Sequence, residues 1–137
     1  MPLSFADIAD DLAFLDDWDE RYGYIIDLGK RLDPLTEEER TERTRVRGCA
    51  SQVWLVTDWS GGTLAVRGDS DAAIVRGLVA IVLSLFSGLT REEAAALDAE
   101  AKLAEIDLKD HVTAQRANGL VSMIGRLKAE AAGSSGD

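Results

Sequence analysis

Between Arg45 and Leu55 the chain reads Arg-Val-Arg-Gly-Cys-Ala-Ser-Gln-Val-Trp-Leu, and Cys49 is the only cysteine in 137 residues. A cysteine thiolate is a nucleophile, and nearby cations favour it over the thiol. Arg45 and Arg47 supply such cations just upstream. Gly48 directly before the cysteine marks a turn, a place where a thiol is exposed. An alternating strand follows, with Val53 and Leu55 on one face and Gln52 and Trp54 on the other. The competing reading is a small inert core residue, the commonest fate of a lone cysteine. The polar sequence upstream and the bend at Gly48 argue against burial. By residue type and spacing, Cys49 is a candidate reactive thiol.

The elements that must position this loop follow the apolar periodicity. Ser4 is a candidate N-cap for a first helix, with Asp7 three residues on and Phe5, Ile8, Leu12 and Leu15 at helical spacing. A second helix is predicted over Trp18 to Leu32, with Tyr22, Ile25, Ile26, Gly29 and Leu32 on one side and Pro34 as its stop. The charged run from Thr36 to Thr44 reads as an exposed connection holding at most a helical turn. Ser51 to Trp59 is the clearest strand. The Ser60-Gly61-Gly62 turn returns it through Thr63 to Arg67 as a hairpin.

The segment before Cys49 would add a third strand. The expected fold is therefore α+β, a small three-stranded antiparallel sheet packed on one face by helices, since such a sheet is not stable alone. Asp69-Ser70-Asp71 reads as an N-cap cluster for a nearly all-apolar helix from Ala72 to Phe86. That run is short of the roughly 20 residues a membrane span needs and contains Arg76. Gly77 inside it costs about 1 kcal/mol of helix propensity and implies a close backbone neighbour, the sheet or the Cys49 loop. Thr90 with Glu93 forms a capping box for a short helix, Ala99 to Ile106 forms another, and Thr113 caps the last. In that last helix Ala117, Leu120, Val121, Ile124 and Leu127 keep helical spacing. The expected organisation is one domain over residues 1–132 and a disordered tail over 133–137.

The net charge is −10, so phosphate-backbone binding is not expected: a nucleic-acid binder shows a basic footprint. One cysteine permits no internal disulfide. The N-terminal residues carry no basic region and no apolar signal core, which together place the protein in a reducing cytoplasm. One cysteine and one histidine, His111, fall short of the four ligands of a structural zinc site. No glycine-rich phosphate loop or Schiff-base lysine site is visible, so no resident cofactor and no metal are expected.

The stretch Gly48-Cys49-Ala50-Ser51-Gln52-Val53-Trp54-Leu55 resembles the active-site signature of the SufE family. Tyr24 to Gly29 resembles the family's second-helix pattern. Gly68-Asp69-Ser70-Asp71-Ala72-Ala73-Ile74-Val75-Arg76-Gly77-Leu78 resembles a second block. His111-Val112-Thr113, Arg116 and Gly119-Leu120 resemble a third. The resemblance runs from about Trp18 to Arg126 and implies a SufE/IscU-like fold.

It also implies a sulfur acceptor that takes persulfide sulfur onto Cys49 from a SufS-like cysteine desulfurase, stimulates that enzyme, and delivers the sulfur to a SufBCD-like iron–sulfur scaffold. Pyridoxal phosphate would belong to the desulfurase. Such a protein is an activator and carrier, not a stand-alone enzyme. Related scaffold proteins of this fold hold a cluster or zinc through several cysteines, which this chain lacks.

Beside Cys49, the candidate site residues are Arg116, His111 and Gln52. Arg116 is a cation in the first turn of a helix, against the local dipole preference. His111 reads as a proton shuttle or as a structural cap. Gln52, with Ser51, positions the loop or donates hydrogen bonds to sulfur. Three other readings remain open: an acceptor for a different desulfurase feeding another sulfur-using pathway, an independent thiol enzyme, and a non-catalytic interaction module with an inert cysteine. A persulfide in open solvent would be lost to reductants, so a shallow apolar pocket for Cys49 is also expected.

Overall fold

The computed structural model describes residues 4–48, 51–106, 108 and 114–133. Among them six α-helices and a two-stranded antiparallel sheet form an α+β fold.

Helix α1 (Phe5–Ala13) starts with a reciprocal box: Ser4 Oγ accepts the Asp7 N–H and the Asp7 carboxylate accepts the Ser4 N–H. Its buried stripe is Phe5, Ile8 and Leu12. Helix α2 (Trp18–Lys30) is capped by Asp17 and has Arg31 as its C-cap, so the predicted extension to Leu32 is not helical. Pro34 has no N–H to return to the Lys30 carbonyl and pushes the residue before it out of the helical region, so the helix unwinds early. A single 3₁₀ turn at Glu37–Glu39 follows, boxed by Thr36.

Strands β1 (Val53–Asp58) and β2 (Ala65–Ser70) pair in register from Val53 opposite Ser70 to Asp58 opposite Ala65. The third strand is not formed. The segment before Cys49 contributes an isolated bridge of Arg45 to Trp54. Val46 N–H donates to Val53 O at 2.8 Å and Leu55 N–H to Thr44 O at 2.8 Å. Upstream of Thr44 the chain curls into a turn, with Arg45 N–H bonded to Thr41 O, which ends the ladder after one rung. At the other end of the hairpin, Leu64 N–H donates to Leu89 O and Leu64 O accepts from Gly88 N–H, which ties the hairpin to the loop after the next helix, where Gly88 adopts φ 83°.

Helix α3 (Ala73–Phe86) is the centre of the molecule; Ile74, Leu78, Val79, Ile81, Val82 and Phe86 are all buried. One side lies on β2, where a Cβ on Gly68 would fall 2.7 Å from Val79 Cγ1. The other side crosses α2 at two glycines. A Cβ on Gly77 would lie 2.1 Å from the Ile25 carbonyl oxygen, and one on Gly29 2.7 Å from the Gly77 nitrogen. The neighbour that Gly77 accommodates is therefore a helix, not the sheet or the Cys49 loop.

The predicted Asp69-Ser70-Asp71 cap is also corrected. Asp69 and Ser70 belong to β2, and the N-cap of α3 is Ala72, with no side-chain bond. Cross-strand pairing of Ser70 with Val53 carries β2 further than composition indicates.

Helix α4 (Arg91–Ala96) starts at the predicted Thr90–Glu93 box, and α5 (Ala99–Glu105), capped by Asp98, matches its predicted range to within a residue. Helix α6 (Ala114–Ala131) packs Leu120, Met123, Ile124 and Leu127 inward, but Val121 is 57% exposed. The proposed cap Thr113 and residues 134–137 of the predicted tail lie outside the described residues. No helix among the described residues is long and apolar enough to cross a membrane.

Candidate functional site

Cys49, the centre of the sequence reading, lies outside the described residues, as do its neighbour Ala50 and His111. What is described is how the chain on either side of Cys49 is held. The hydrogen bond from Val46 N–H to Val53 O closes a loop of residues 47–52. Downstream of the cysteine, the Gln52 N–H donates to Asp71 Oδ1 at 3.1 Å, and the Asp71 N–H donates back to Gln52 O at 3.3 Å. Asp71, read from sequence as a helix cap, is thus an anchor for the loop. The Gln52 side chain is exposed.

Upstream, Gly48 has φ 88°, the left-handed region that suits glycine. It packs on α6: a Cβ there would lie 2.5 Å from Ser122 Oγ. Arg126, one turn further along α6, donates from Nη1 to Arg45 O at 2.9 Å and from Nη2 to Arg43 O at 2.6 Å. Neither carbonyl takes part in the backbone bonds to β1, so the arginine serves acceptors that the strand does not. Arg126 is itself held through Nε by Glu130 at 3.2 Å. Glu130 Oε1 accepts from Thr57 Oγ1 at 2.6 Å and from Trp59 Nε1 at 3.3 Å. The hairpin, the end of α6 and the upstream arm of the loop are therefore one connected polar network. Neither Arg126 nor Ser122 was singled out by sequence, because the loop residues they meet stand more than 70 positions away.

Arg45 and Arg47, the two cations expected to favour a thiolate, both turn toward Glu42. Arg47 Nη2 lies 3.2 Å from Glu42 Oε2 and Arg45 Nη1 3.9 Å from Oε1. Arg47 stays 81% exposed at its side chain. Arg116 is half-buried in the first turn of α6, as its position predicts. Gln52 and Arg116 thus sit on separate elements, the lead into β1 and the start of α6.

Beneath the loop's downstream arm lies a buried carboxylate. Asp69, 3% exposed at its side chain, accepts from Arg40 Nη2 at 2.8 Å and stands 3.0 Å from Arg76 Nε. The Arg76 contact is an ion pair without hydrogen-bond alignment, since that Nε has no hydrogen-bond partner. Backbone N–H groups of Leu35 and Ser70 complete the set at 3.2 and 2.8 Å. Burial pushes the Asp69 carboxyl up. The Arg40 bond, the two N–H donors and the Arg76 charge outweigh it, and the group titrates below the usual carboxylate range. Arg40 also lies 5.3 Å over the Trp54 ring, across the strand from Asp69.

Chemically, the arrangement is a short loop with a thiol in its sequence, clamped at both ends and flanked by arginines. Among the described residues no group of three or more His, Cys, Asp or Glu side chains could hold a metal ion.

Residues 6–131 match the family model described as SufE: Fe-S metabolism associated domain. An uncharacterized SufE-like protein of Rhizobium etli is 53% identical over 132 residues, 93% of this chain and 89% of that one. Another, from Rhizobium meliloti, is 52% identical over 134 residues, 95% of this chain and 96% of that one. The solution structure of a hypothetical protein from Thermus thermophilus has the same fold. It superposes with a TM-score of 0.75 over 98% of this chain and 97% of that one, at 17% identity.

Proposed function

The chain belongs to the SufE family, whose domain is associated with Fe–S metabolism, and on that premise we propose that it is a sulfur acceptor and carrier working through Cys49. The donor is a SufS-like cysteine desulfurase holding a persulfide on its own cysteine. The Cys49 thiolate attacks the terminal sulfur of that persulfide. A new S–S bond forms on Cys49, the donor's S–S bond breaks, and the donor leaves as a thiolate. No external oxidant or reductant is required, as in any thiol–disulfide exchange. Repeating the exchange with Cys49 as donor passes the sulfur to a SufBCD-like scaffold. Removing sulfur from the desulfurase frees it for another turnover, so the carrier stimulates its donor.

The observation that carries this reading is the double clamp on the loop. A carrier must offer its thiol to two different proteins, which suits a short loop whose ends are fixed to a rigid frame. The Val46–Val53 closure and the Gln52–Asp71 pair supply that fixation. Arg116 and His111 are assigned supporting roles, the first in stabilising a thiolate or persulfide anion, the second in proton transfer. Gln52 helps to position the loop.

Intact-mass measurement after incubation with desulfurase and cysteine tests the reading. The wild-type chain should gain about 32 mass units, one sulfur, by thiolate attack, and Cys49→Ser should gain none. A Cys49→Ser chain that still stimulated sulfide release in full would overturn the carrier mechanism.

A further inference from the structure

On a chain of net charge −10, one groove has the opposite sign. It measures about 430 Å³ and is lined by Arg43, Arg45, Arg47 and Arg126, with Glu42 the one acidic residue in its wall. Arg43 and Arg47 are exposed. Glu42 engages Arg45 and Arg47, while Arg43 makes no ion pair among the described residues.

The groove's position matters as much as its charge. Its wall includes Val46 and Arg47, the upstream arm of the Cys49 loop, and Ser122, the residue on which Gly48 packs. A partner that reaches the loop from this side passes over the arginines. Beside Ser122 on α6, Val121 is one of the two large apolar side chains exposed among the described residues. An apolar contact next to a charged rim is the usual anatomy of a protein interface.

Charge selects the class of partner. A long polyanion such as a nucleic acid meets the field of the whole acidic chain and is repelled. A protein with a local acidic strip meets mainly what lies within about 8 Å at physiological salt, which here is the groove. We propose that the arginine groove is the docking surface for an acidic segment of the cysteine desulfurase beside its active-site opening. This assignment rests on the sulfur-acceptor reading and names the surface through which the acceptor is captured. Matched charges of this kind act chiefly on the association rate and on its sensitivity to salt.

The test is calorimetric titration of the desulfurase from the same organism with the full chain, from about 50 to 500 mM sodium chloride, a span over which the screening length shrinks severalfold. Wild-type affinity should fall about tenfold or more across that range. The Arg43→Glu/Arg47→Glu variant should bind about tenfold more weakly at low salt and approach wild type at high salt. Arg31→Glu, a single charge reversal at the exposed end of α2, should bind as wild type. If the double reversal lowers the melting temperature, Arg43→Gln/Arg47→Gln should show a smaller loss in the same direction.

A wild-type affinity indifferent to salt, or a double variant no weaker than Arg31→Glu, overturns the docking surface. The intact-mass assay separates the two levels. A wild-type chain that takes no sulfur from the desulfurase brings down the acceptor reading, and the docking surface with it. A groove variant that binds and takes sulfur as readily as wild type brings down the docking surface alone.

Discussion

Gln52 and Asp71 hold one another by two hydrogen bonds: the Gln52 N–H donates to the Asp71 carboxylate at 3.1 Å and the Asp71 N–H donates to the Gln52 carbonyl at 3.3 Å. The pair joins the loop that carries Cys49 to the turn between β2 and α3, so the frame of the loop is the central helix itself. Replacing Asp71 by Ala removes the side-chain acceptor and leaves the backbone bond. A surface bond of this kind contributes about 1 kcal/mol. Asp71→Ala should therefore speed exchange of the Gln52 amide about fivefold without unfolding the chain. Asp71→Asn keeps an acceptor oxygen at the same position and should exchange close to the wild-type rate. Hydrogen exchange followed by NMR reads both; equal protection in wild type and Asp71→Ala would show that the side chain does not anchor the loop.

The crossing of α2 and α3 depends on two missing side chains. A Cβ on Gly77 would meet backbone, the Ile25 carbonyl at 2.1 Å, which cannot rotate aside. Gly77→Ala should cost about 3 kcal/mol or more, because the helices must separate, even though alanine favours a helix by about 1 kcal/mol. Gly125 on α6 has nothing within 4 Å of its added Cβ. Gly125→Ala should therefore stabilise by about 0.5–1 kcal/mol through propensity alone. Urea melts of the two variants should move in opposite directions; a common direction would mean that the helix crossing is not what demands the glycine.

What the sequence made legible, and what it hid, divides along range. The Ser4–Asp7 and Thr90–Glu93 boxes were readable because both partners sit three residues apart. The apolar run of α3 was readable because burial on nearly every side leaves no polar stripe. Asp69 was misread because a buried carboxylate in a strand and an N-cap have the same composition. Its true partner, Arg40, stands 29 positions away in a segment that looked merely charged and exposed. The third strand failed for a similar reason. Nothing local announces that the Arg43 and Arg45 carbonyls bond to Arg126 or that the chain turns at Thr41. At the candidate site, the turn at Gly48 was readable from the glycine itself. The anchors Asp71, Ser122 and Arg126 emerged only from the fold. Cys49 and His111 fall outside the described residues and stand on the resemblance and the family match.

Asp69 makes the sharpest prediction about pH. Its carboxyl is held below the ordinary range in the folded chain, whereas the unfolded chain titrates near the usual value of about 3.9. As pH falls through that value, the unfolded state binds a proton that the folded state refuses, so stability drops. The contribution is fully present above about pH 5 and is lost progressively as pH descends to the depressed folded value. Asp69→Asn removes this proton linkage and leaves Arg40 and Arg76 without their buried counter-charge. At pH 7 it should cost about 2–4 kcal/mol, discounted from a fully buried pair because Arg40 is 38% exposed at its side chain. The difference between wild type and variant should narrow on acidification, as the wild-type carboxylate also becomes neutral. Urea titrations at pH 7, 5, 4 and 3, spanning the carboxylate range, measure that gap directly. A gap constant across the series would show that Asp69 acts by shape and hydrogen bonding and that its charge contributes nothing.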